Sequence, residues 1–121
     1  MKVVRLRQAR VGDLVGRTIA ELIQKKVKDP RLEGVTITGA DVSVDLKAAR
    51  IYFCVMDRER KGSVLEGLAS AAGYLRRELG RELHMKAVPS LSFAYDESFD
   101  HGARIDEILD SLASHQDDGK E

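Results

Sequence analysis

The side chains best suited to chemistry in this 121-residue chain lie on a predicted helix that follows three small residues, Ala71, Ala72 and Gly73. At 100° per residue, an apolar stripe of leucines faces one side of that helix. The other side carries aromatic, guanidinium and imidazole groups: Tyr74, Arg77, Arg81 and His84, with Arg76 on the flank and Lys86 just beyond. Guanidinium groups pair with phosphates, and an aromatic ring can stack on a nucleobase. This pattern predicts a nucleic-acid-binding face. The alternative is that these charges are solvated and complement the helix C-terminus.

A second predicted helix leads into this segment. Ser63 and Glu66 have the spacing of a capping box, so the helix is expected to begin at Ser63. A buried face is predicted from the helical spacing of four apolar residues, namely Leu65, Leu68, Ala69 and Ala72. The small residues at 71–73 have little side chain, so they predict a close approach of another backbone or a bend of the axis.

The first helix of the chain has the clearest periodicity. Its apolar positions are Val11, Leu14, Val15, Thr18, Ile19, Leu22 and Ile23. The pair Asp29-Pro30 is expected to end it, because a proline disfavours helical geometry in the preceding residue. Three basic residues, Arg10, Arg17 and Lys28, follow its polar side in a narrow arc, and Lys25 is a further basic residue of this helix. They predict a second stripe that could contact a phosphate backbone, or else an ordinary solvated face.

Three strands are predicted. In the first hairpin, alternating apolar residues between positions 35 and 46 change parity around Gly39, which predicts a bulge there. The next strand, Ala49–Met56, is apolar on both faces and is therefore expected to be central or covered twice. The last is Val88–Tyr95. Helix, strand, strand, helix, helix, strand is an α+β order, expected to form a three-stranded sheet with helices packed on one face.

Charge and composition limit the class of protein. Residues 1–31 hold nine Lys or Arg against three Asp or Glu, whereas residues 96–121 hold two against nine, although the whole chain is formally neutral. This asymmetry predicts a basic binding surface and an acidic tail. With a single cysteine, Cys54, no intrachain disulfide can form, and no apolar run is long enough to span a membrane. We expect a cytoplasmic monomer with one domain at 1–112, including a short helix at about 101–112, and an acidic disordered tail at 113–121.

Catalysis is not expected from these residues. An acidic group near the last helix, formed by Asp96, Glu97, Asp100 and His101, resembles a metal site, but it lies where Ser98 or Asp100 would more simply cap a helix. No nucleophile–base pair and no glycine-rich phosphate loop is evident. The sequence therefore predicts no metal, no cofactor and no enzymatic activity.

The order and identity of these segments resemble the bacterial ribosome-binding factor A family. The resemblance covers about residues 5–110 and is carried by the following segments: Arg10-Val11-Gly12, Lys28-Asp29-Pro30-Arg31, Val35-Thr36-Ile37-Thr38, Val42-Ser43-Val44-Asp45-Leu46, Leu68-Ala69-Ser70-Ala71-Ala72-Gly73-Tyr74-Leu75-Arg76, Val88-Pro89-Ser90-Leu91-Ser92-Phe93, Tyr95-Asp96-Glu97-Ser98 and Gly102-Ala103-Arg104-Ile105.

The resemblance implies a type II KH-like domain in which an A-x-G kink replaces the usual nucleotide-clamping G-x-x-G loop. The kink would fall at Ala71, Ala72 and Gly73, giving the order helix-strand-strand-helix-kink-helix-strand. It also implies a ribosome biogenesis factor that binds the free 30S subunit and 16S rRNA. Such a factor supports late maturation and 5′-end processing of the 16S precursor, matters most in the cold, and has a maturation GTPase as functional partner.

These inferences combine into a stoichiometric RNA-binding hypothesis. Its expected RNA contacts are Arg10, Arg17, Lys25, Lys28, Arg76, Arg77, Arg81 and Lys86. The alternative is a KH-like module that serves protein–protein contact, with the acidic C-terminal helix as its docking surface.

Overall fold

The chain folds in the order helix, strand, strand, helix, strand. The computed structural model describes residues 2–98, and its main elements are α1 (Lys2–Lys26), β1 (Thr36–Val42), β2 (Ala48–Cys54), α2 (Lys61–Leu83) and β3 (Ser90–Tyr95). Short 3₁₀ turns at Pro30–Leu32 and Arg58–Arg60 precede β1 and α2. The predicted helix at 101–112 and the predicted tail at 113–121 lie outside the described residues.

The three strands form one mixed sheet in the order β1-β2-β3. β1 pairs antiparallel with β2, and β3 pairs parallel with β2, so the strand predicted to be central is central. The register shifts between Ile37 and Gly39, which confirms the predicted bulge. The prediction that alternating apolar residues continue the strand past Val42 is wrong, because β1 ends there. There the chain enters a tight turn in which Leu46 has a φ of 61°, and Val44 is 71% exposed.

Both helices cover the same face of the sheet. From α1 the core takes Val15, Ile19, Leu22 and Ile23, and from α2 it takes Val64, Leu68, Leu75 and Leu79. These side chains pack on the inward residues Val42, Ala49, Ile51 and Phe53. Burying apolar area in one continuous layer is the main stabilising term of a domain this size. The α+β prediction, with helices on one face of a three-stranded sheet, is confirmed.

The start of α2 and its buried face differ from the prediction. The helix begins at Lys61 directly after the 3₁₀ turn, where the carboxylate of Asp57 accepts a hydrogen bond from the Glu59 amide, so Ser63 lies inside the first turn and caps nothing. Leu65 is 41% exposed and Ala69 is also exposed. The buried face passes instead through Val64, Gly67, Leu68, Leu75, Glu78 and Leu79.

The element predicted as two helices joined by a kink is one continuous helix, α2, from Lys61 to Leu83. The bend of the helix axis expected at Ala71, Ala72 and Gly73 stays a prediction. A glycine in a helix costs about 1 kcal/mol relative to alanine. Burial of leucines on either side of the segment exceeds that cost.

Close approaches occur at other glycines of α2. A Cβ on Gly67 would lie 2.9 Å from Leu32 Cδ2, and one on Gly80 would lie 2.6 Å from Val88 Cγ2. A Cβ on Gly73 would meet no atom within 4 Å. The small residues that let other segments pack against α2 are therefore Gly67 and Gly80, and the space beside Gly73 is open.

Candidate nucleic-acid interface

A basic groove of about 1000 Å³ lies where three segments meet: the β1–β2 turn, the middle of α2, and the connector between α2 and β3. Its lining residues are Asp45, Leu46, Lys47, Gly73, Arg76, Arg77, Lys86, Ala87 and Val88. Four of them are cationic and one is acidic. The structure thus brings together three residues that the sequence predicted as RNA contacts, Arg76, Arg77 and Lys86, and adds Lys47, which the sequence reasoning missed.

The β1–β2 turn presents Lys47 on a backbone that is held by hydrogen bonds. Ser43 Oγ donates to Asp45 Oδ1 at 2.7 Å, and the Lys47 amide donates to Asp45 Oδ1 at 3.0 Å. The hydrogen bond from Ser43 is the main cause that holds the pKa of Asp45 below its ordinary value, with the Lys47 amide adding to it. The Ser90 amide donates to Lys47 O at 2.9 Å, which ties this turn to the first residue of β3.

The connector from α2 to β3 forms the opposite wall. His84, the residue after the end of α2, adopts the left-handed conformation (φ 54°), and the Met85 amide donates back to Gly80 O at 2.9 Å, a pattern that closes helix C-termini. Arg76 Nη2 donates to Val88 O at 2.9 Å, and Arg76 Nε donates to Pro89 O at 3.2 Å. The connector is thus held on α2 by a side chain twelve residues upstream.

The cationic groups of Lys47, Arg77 and Lys86 are exposed. Arg77 lies over the ring of Tyr74, 5.9 Å from its centroid, while Lys47 and Lys86 form no side-chain hydrogen bond or salt bridge within residues 2–98. Ammonium and guanidinium groups displayed in one concave surface are suited to pair with phosphates. The phosphate backbone of a nucleic acid is therefore the ligand that fits this groove best.

The remaining predicted groups of this helix face differ in their surroundings. Tyr74 is partly buried and packs against the core, so the prediction of an exposed aromatic ring is wrong. The side chain of Arg81 is 76% exposed, does not line the groove, and pairs with Glu78 at 3.3 Å. Glu78, itself only 7% exposed, also pairs with Lys26 of α1 at 3.6 Å. This acid links the two helices, and the sequence reasoning did not identify it.

The predicted contacts near the N-terminus lie apart from the groove. Arg10, Arg17 and Lys25 are exposed on α1, and none of them lines the groove. Arg17 borders a smaller depression between α1 and β1. The sequence predicted Lys28 to lie on the first helix, but α1 ends at Lys26, so Lys28 lies just beyond it. The exposed basic residues of α1 therefore belong to a different surface from the groove, and Asp13 and Glu21 are exposed on the same helix.

The alternative metal site is not assembled by the part of the chain that the structure describes. Asp96 accepts a hydrogen bond from Thr38 Oγ1, and Glu97 pairs with Lys61 at 3.3 Å. Asp100 and His101 lie outside the described residues. Within residues 2–98 there is no cluster of three or more metal-ligating side chains, and no helix combines the length and apolar character needed to cross a membrane. Cys54 is buried, as expected for a small core residue.

Comparison with known proteins identifies similar sequences. The family described as ribosome-binding factor A matches residues 7–109. The chain is 43% identical over 121 residues to ribosome-binding factor A of Thioalkalivibrio sulfidiphilus, covering 95% of this chain and 94% of the relative. It is 45% identical over 104 residues to the protein of that description from Desulfatibacillum aliphaticivorans, covering 85% of each.

Solved structures are similar as well. A crystal structure of ribosome-binding factor A from Thermus thermophilus superposes with a TM-score of 0.67 at 28% identity, covering 73% of this chain and 93% of that one. A Thermus thermophilus ribosome-binding factor A model, fitted into a cryo-EM map of its complex with the 30S subunit, superposes with a TM-score of 0.59 at 28% identity. It covers 70% of this chain and 90% of that one.

Proposed function

This chain belongs to the ribosome-binding factor A family, and on that premise we propose that it binds the free 30S ribosomal subunit through 16S rRNA. The observation that carries the proposal is the groove lined by Lys47, Arg76, Arg77 and Lys86, which collects cations from three separate segments. A relative of this fold has been fitted into a map of a 30S complex, which supports the same partner here.

The proposed mechanism is binding without catalysis. Phosphates of 16S rRNA, in the region of its 5′ end, would lie in the groove against Lys47, Arg77 and Lys86. The α1 residues Arg10, Arg17 and Lys25, with Lys28 and Arg81, would supply further contacts on neighbouring surfaces. Electrostatic contacts of this kind position RNA without reading its sequence, so selectivity for the 30S particle would come from the shape of the folded RNA.

The biological role proposed is support of late 30S maturation in the cytoplasm. A factor that occupies an unfinished rRNA conformation stabilises it by mass action and is displaced when the competing, mature conformation forms. In this role the protein would assist 5′-end processing of the 16S precursor and would act together with a maturation GTPase.

Sedimentation of the purified protein with 30S subunits, 50S subunits and 70S ribosomes over a salt series tests the proposal. Selective co-migration with free 30S subunits, lost as salt rises, is the expected result. Co-migration with all three particles would reduce the protein to a general RNA binder. Binding that survives high salt would instead favour an apolar protein–protein contact.

The Arg77→Glu, Lys86→Glu double variant provides the matched site test. Both residues are exposed, so the fold should persist while 30S binding is lost. The single reversals Arg77→Glu and Lys86→Glu each have Arg50→Glu, at an exposed residue outside the groove, as the control that matches their change in net charge. Equal binding by wild type and the double variant would show that the groove is not the 30S-binding surface.

A further inference from the structure

We propose that Arg76 positions the RNA-binding groove rather than contacting RNA, and that Lys47 supplies the third phosphate contact beside Arg77 and Lys86. This inference rests on the proposed function in its choice of RNA as ligand. It divides the four groove cations into three that bind phosphate and one that holds the connector carrying Lys86.

The contacts of Arg76 are the first step of the argument. Its Nε lies 3.3 Å from Val88 O and 3.2 Å from Pro89 O, and its Nη2 lies 2.9 Å from Val88 O. Two successive backbone carbonyls thus receive the planar donor edge of one guanidinium. This is a geometry that arginine provides and lysine does not, because the ammonium group has no fixed pair of parallel donors. A phosphate paired with Nε and Nη2 would leave the two carbonyls without these bonds, so RNA could reach this exposed side chain only through its remaining N–H groups.

The connector is the second step. Val88 packs against Gly80, where not even a Cβ would fit, and Pro89 is fully buried, so the end of the connector is fixed from two sides. Lys86 lies two residues before Val88, on the exposed part of the same connector. Anchoring Val88 and Pro89 therefore limits where the Lys86 ammonium can go, and a restricted side chain loses less entropy on binding.

Lys47 is the third step. Its amide donates to Ser43 Oγ and Asp45 Oδ1, and its carbonyl accepts from the Ser90 amide, so its backbone is fixed on both sides. Its side chain is exposed, lines the groove, and has no salt bridge or hydrogen bond among residues 2–98. The Asp45 carboxylate also lines the groove and would repel a phosphate there. Its Oδ1 atom accepts hydrogen bonds from Ser43 Oγ and the Lys47 amide within the turn.

Equilibrium binding of a fluorescent oligouridine of about 16 nucleotides over a salt series tests the assignment, because its phosphates are a probe that needs no ribosome. Lys47→Gln, Arg77→Gln and Lys86→Gln should each lower the salt slope by about 0.7. Arg50→Gln, which makes the same change in net charge outside the groove, should leave the slope unchanged. A Lys47→Gln slope equal to that of Arg50→Gln would overturn the role of Lys47.

Arg76→Lys distinguishes positioning from contact, because it keeps the charge and removes the two-carbonyl geometry. We expect about a fivefold loss of oligouridine affinity, faster amide hydrogen exchange at residues 85–88, and a smaller effect of Lys86→Gln in this background than in wild type. Wild-type affinity in Arg76→Lys would overturn the proposal, whether exchange is faster or not. A thermal unfolding curve checks that Arg76→Lys is folded. The Lys47→Gln salt-slope measurement does not depend on the Arg76→Lys variant.

The two proposals fail separately. If the wild-type protein binds oligouridine with the expected slopes but does not sediment with 30S subunits, the proposed function is wrong while the groove assignment stands. If it sediments with 30S subunits but does not bind oligouridine, the assignment of the groove to backbone phosphates is overturned.

Discussion

Replacement of Gly73 by alanine should stabilise the fold and weaken RNA binding at the same time. Gly73 lies in the interior of the continuous helix α2, where glycine costs about 0.8–1 kcal/mol relative to alanine. A Cβ built at this position meets no protein atom within 4 Å, so the substitution introduces no clash that would offset the gain. We therefore expect the free energy of unfolding to rise by about 0.8 kcal/mol, which corresponds to an increase in Tm of about 4 °C for a domain of this size.

The methyl group of Gly73→Ala would project into space beside the basic groove, since Gly73 is one of its lining residues. A sugar or phosphate lying against the glycine Cα would have to move away, and we expect a several-fold loss of oligouridine affinity. Gly62→Ala is the matched control. Gly62 also lies in α2 with open space around it but does not line the groove, so its replacement should not weaken binding.

Urea unfolding monitored by circular dichroism gives the stability change, and fluorescence anisotropy gives the affinity. A destabilised Gly73→Ala protein would refute the continuous helix, because only a backbone conformation unfavourable to alanine would reverse the sign. A stabilised protein with unchanged oligouridine affinity would leave the helix intact but refute the idea that the open space beside Gly73 belongs to the ligand.

Three other predictions concern the same surface and its supports. Gly80→Ala should lower the free energy of unfolding by about 1–3 kcal/mol in urea titrations, because its methyl group would overlap the α2–β3 connector. Arg81→Gln should reduce oligouridine affinity less than Arg77→Gln in anisotropy titrations, because Arg81 lies outside the groove and pairs with a glutamate. Asp45 has a folded-state pKa lowered by the hydrogen bond from Ser43, so its ionised form stabilises the fold at neutral pH. The stability advantage of wild type over Asp45→Asn should therefore be lost as the pH falls below 3.8, as measured by urea unfolding at a series of pH values.

The architecture was predictable because it depends on strong periodic signals. The apolar repeat of α1 and the parity change at Gly39 each predict one feature that the structure contains, a helix and a bulge. The apolar residues of β2 predicted a central strand, and the sheet order confirms that position. Most of its burial lies on the helix-covered face, where Ala49, Ile51 and Phe53 are buried, whereas Ala48 and Arg50 on the other face are exposed.

The buried face of α2 was not predictable from the same kind of pattern. Apolar or small residues occur at 64, 65, 67, 68 and 69, so two adjacent faces have similar hydrophobicity. The choice between them is made by a tertiary contact, the packing of Leu32 on Gly67, and a helix-period argument does not include that partner. Leu65 is left exposed for this reason.

The groove was only partly predictable. Arg77 and Lys86 could be grouped because they belong to one helix and the segment that follows it. Lys47 belongs to a turn that reaches the groove only through the pairing of β2 with β3, and the two carbonyls that Arg76 binds lie twelve and thirteen residues away. Such long-range contacts leave no local pattern in one sequence, although a basic residue in a tight turn between strands is a signal that could have been considered.

The formal neutrality of the chain is compatible with binding to a polyanion, because contact energies depend on local charge within a Debye length of about 8 Å at physiological salt. Residues 2–98 hold 18 of the 20 basic residues but only 13 of the 20 acidic ones. If RNA contacts only Lys47, Arg77 and Lys86, the salt slope should be about −2, and affinity should fall about twentyfold between 50 and 200 mM salt. If Arg10, Arg17, Lys25 and Lys28 also pair with phosphates, the slope should approach about −5 and the loss about a thousandfold. Because the structure places these two sets on different surfaces, the slope measured with 30S subunits determines whether rRNA occupies the groove alone or extends to α1.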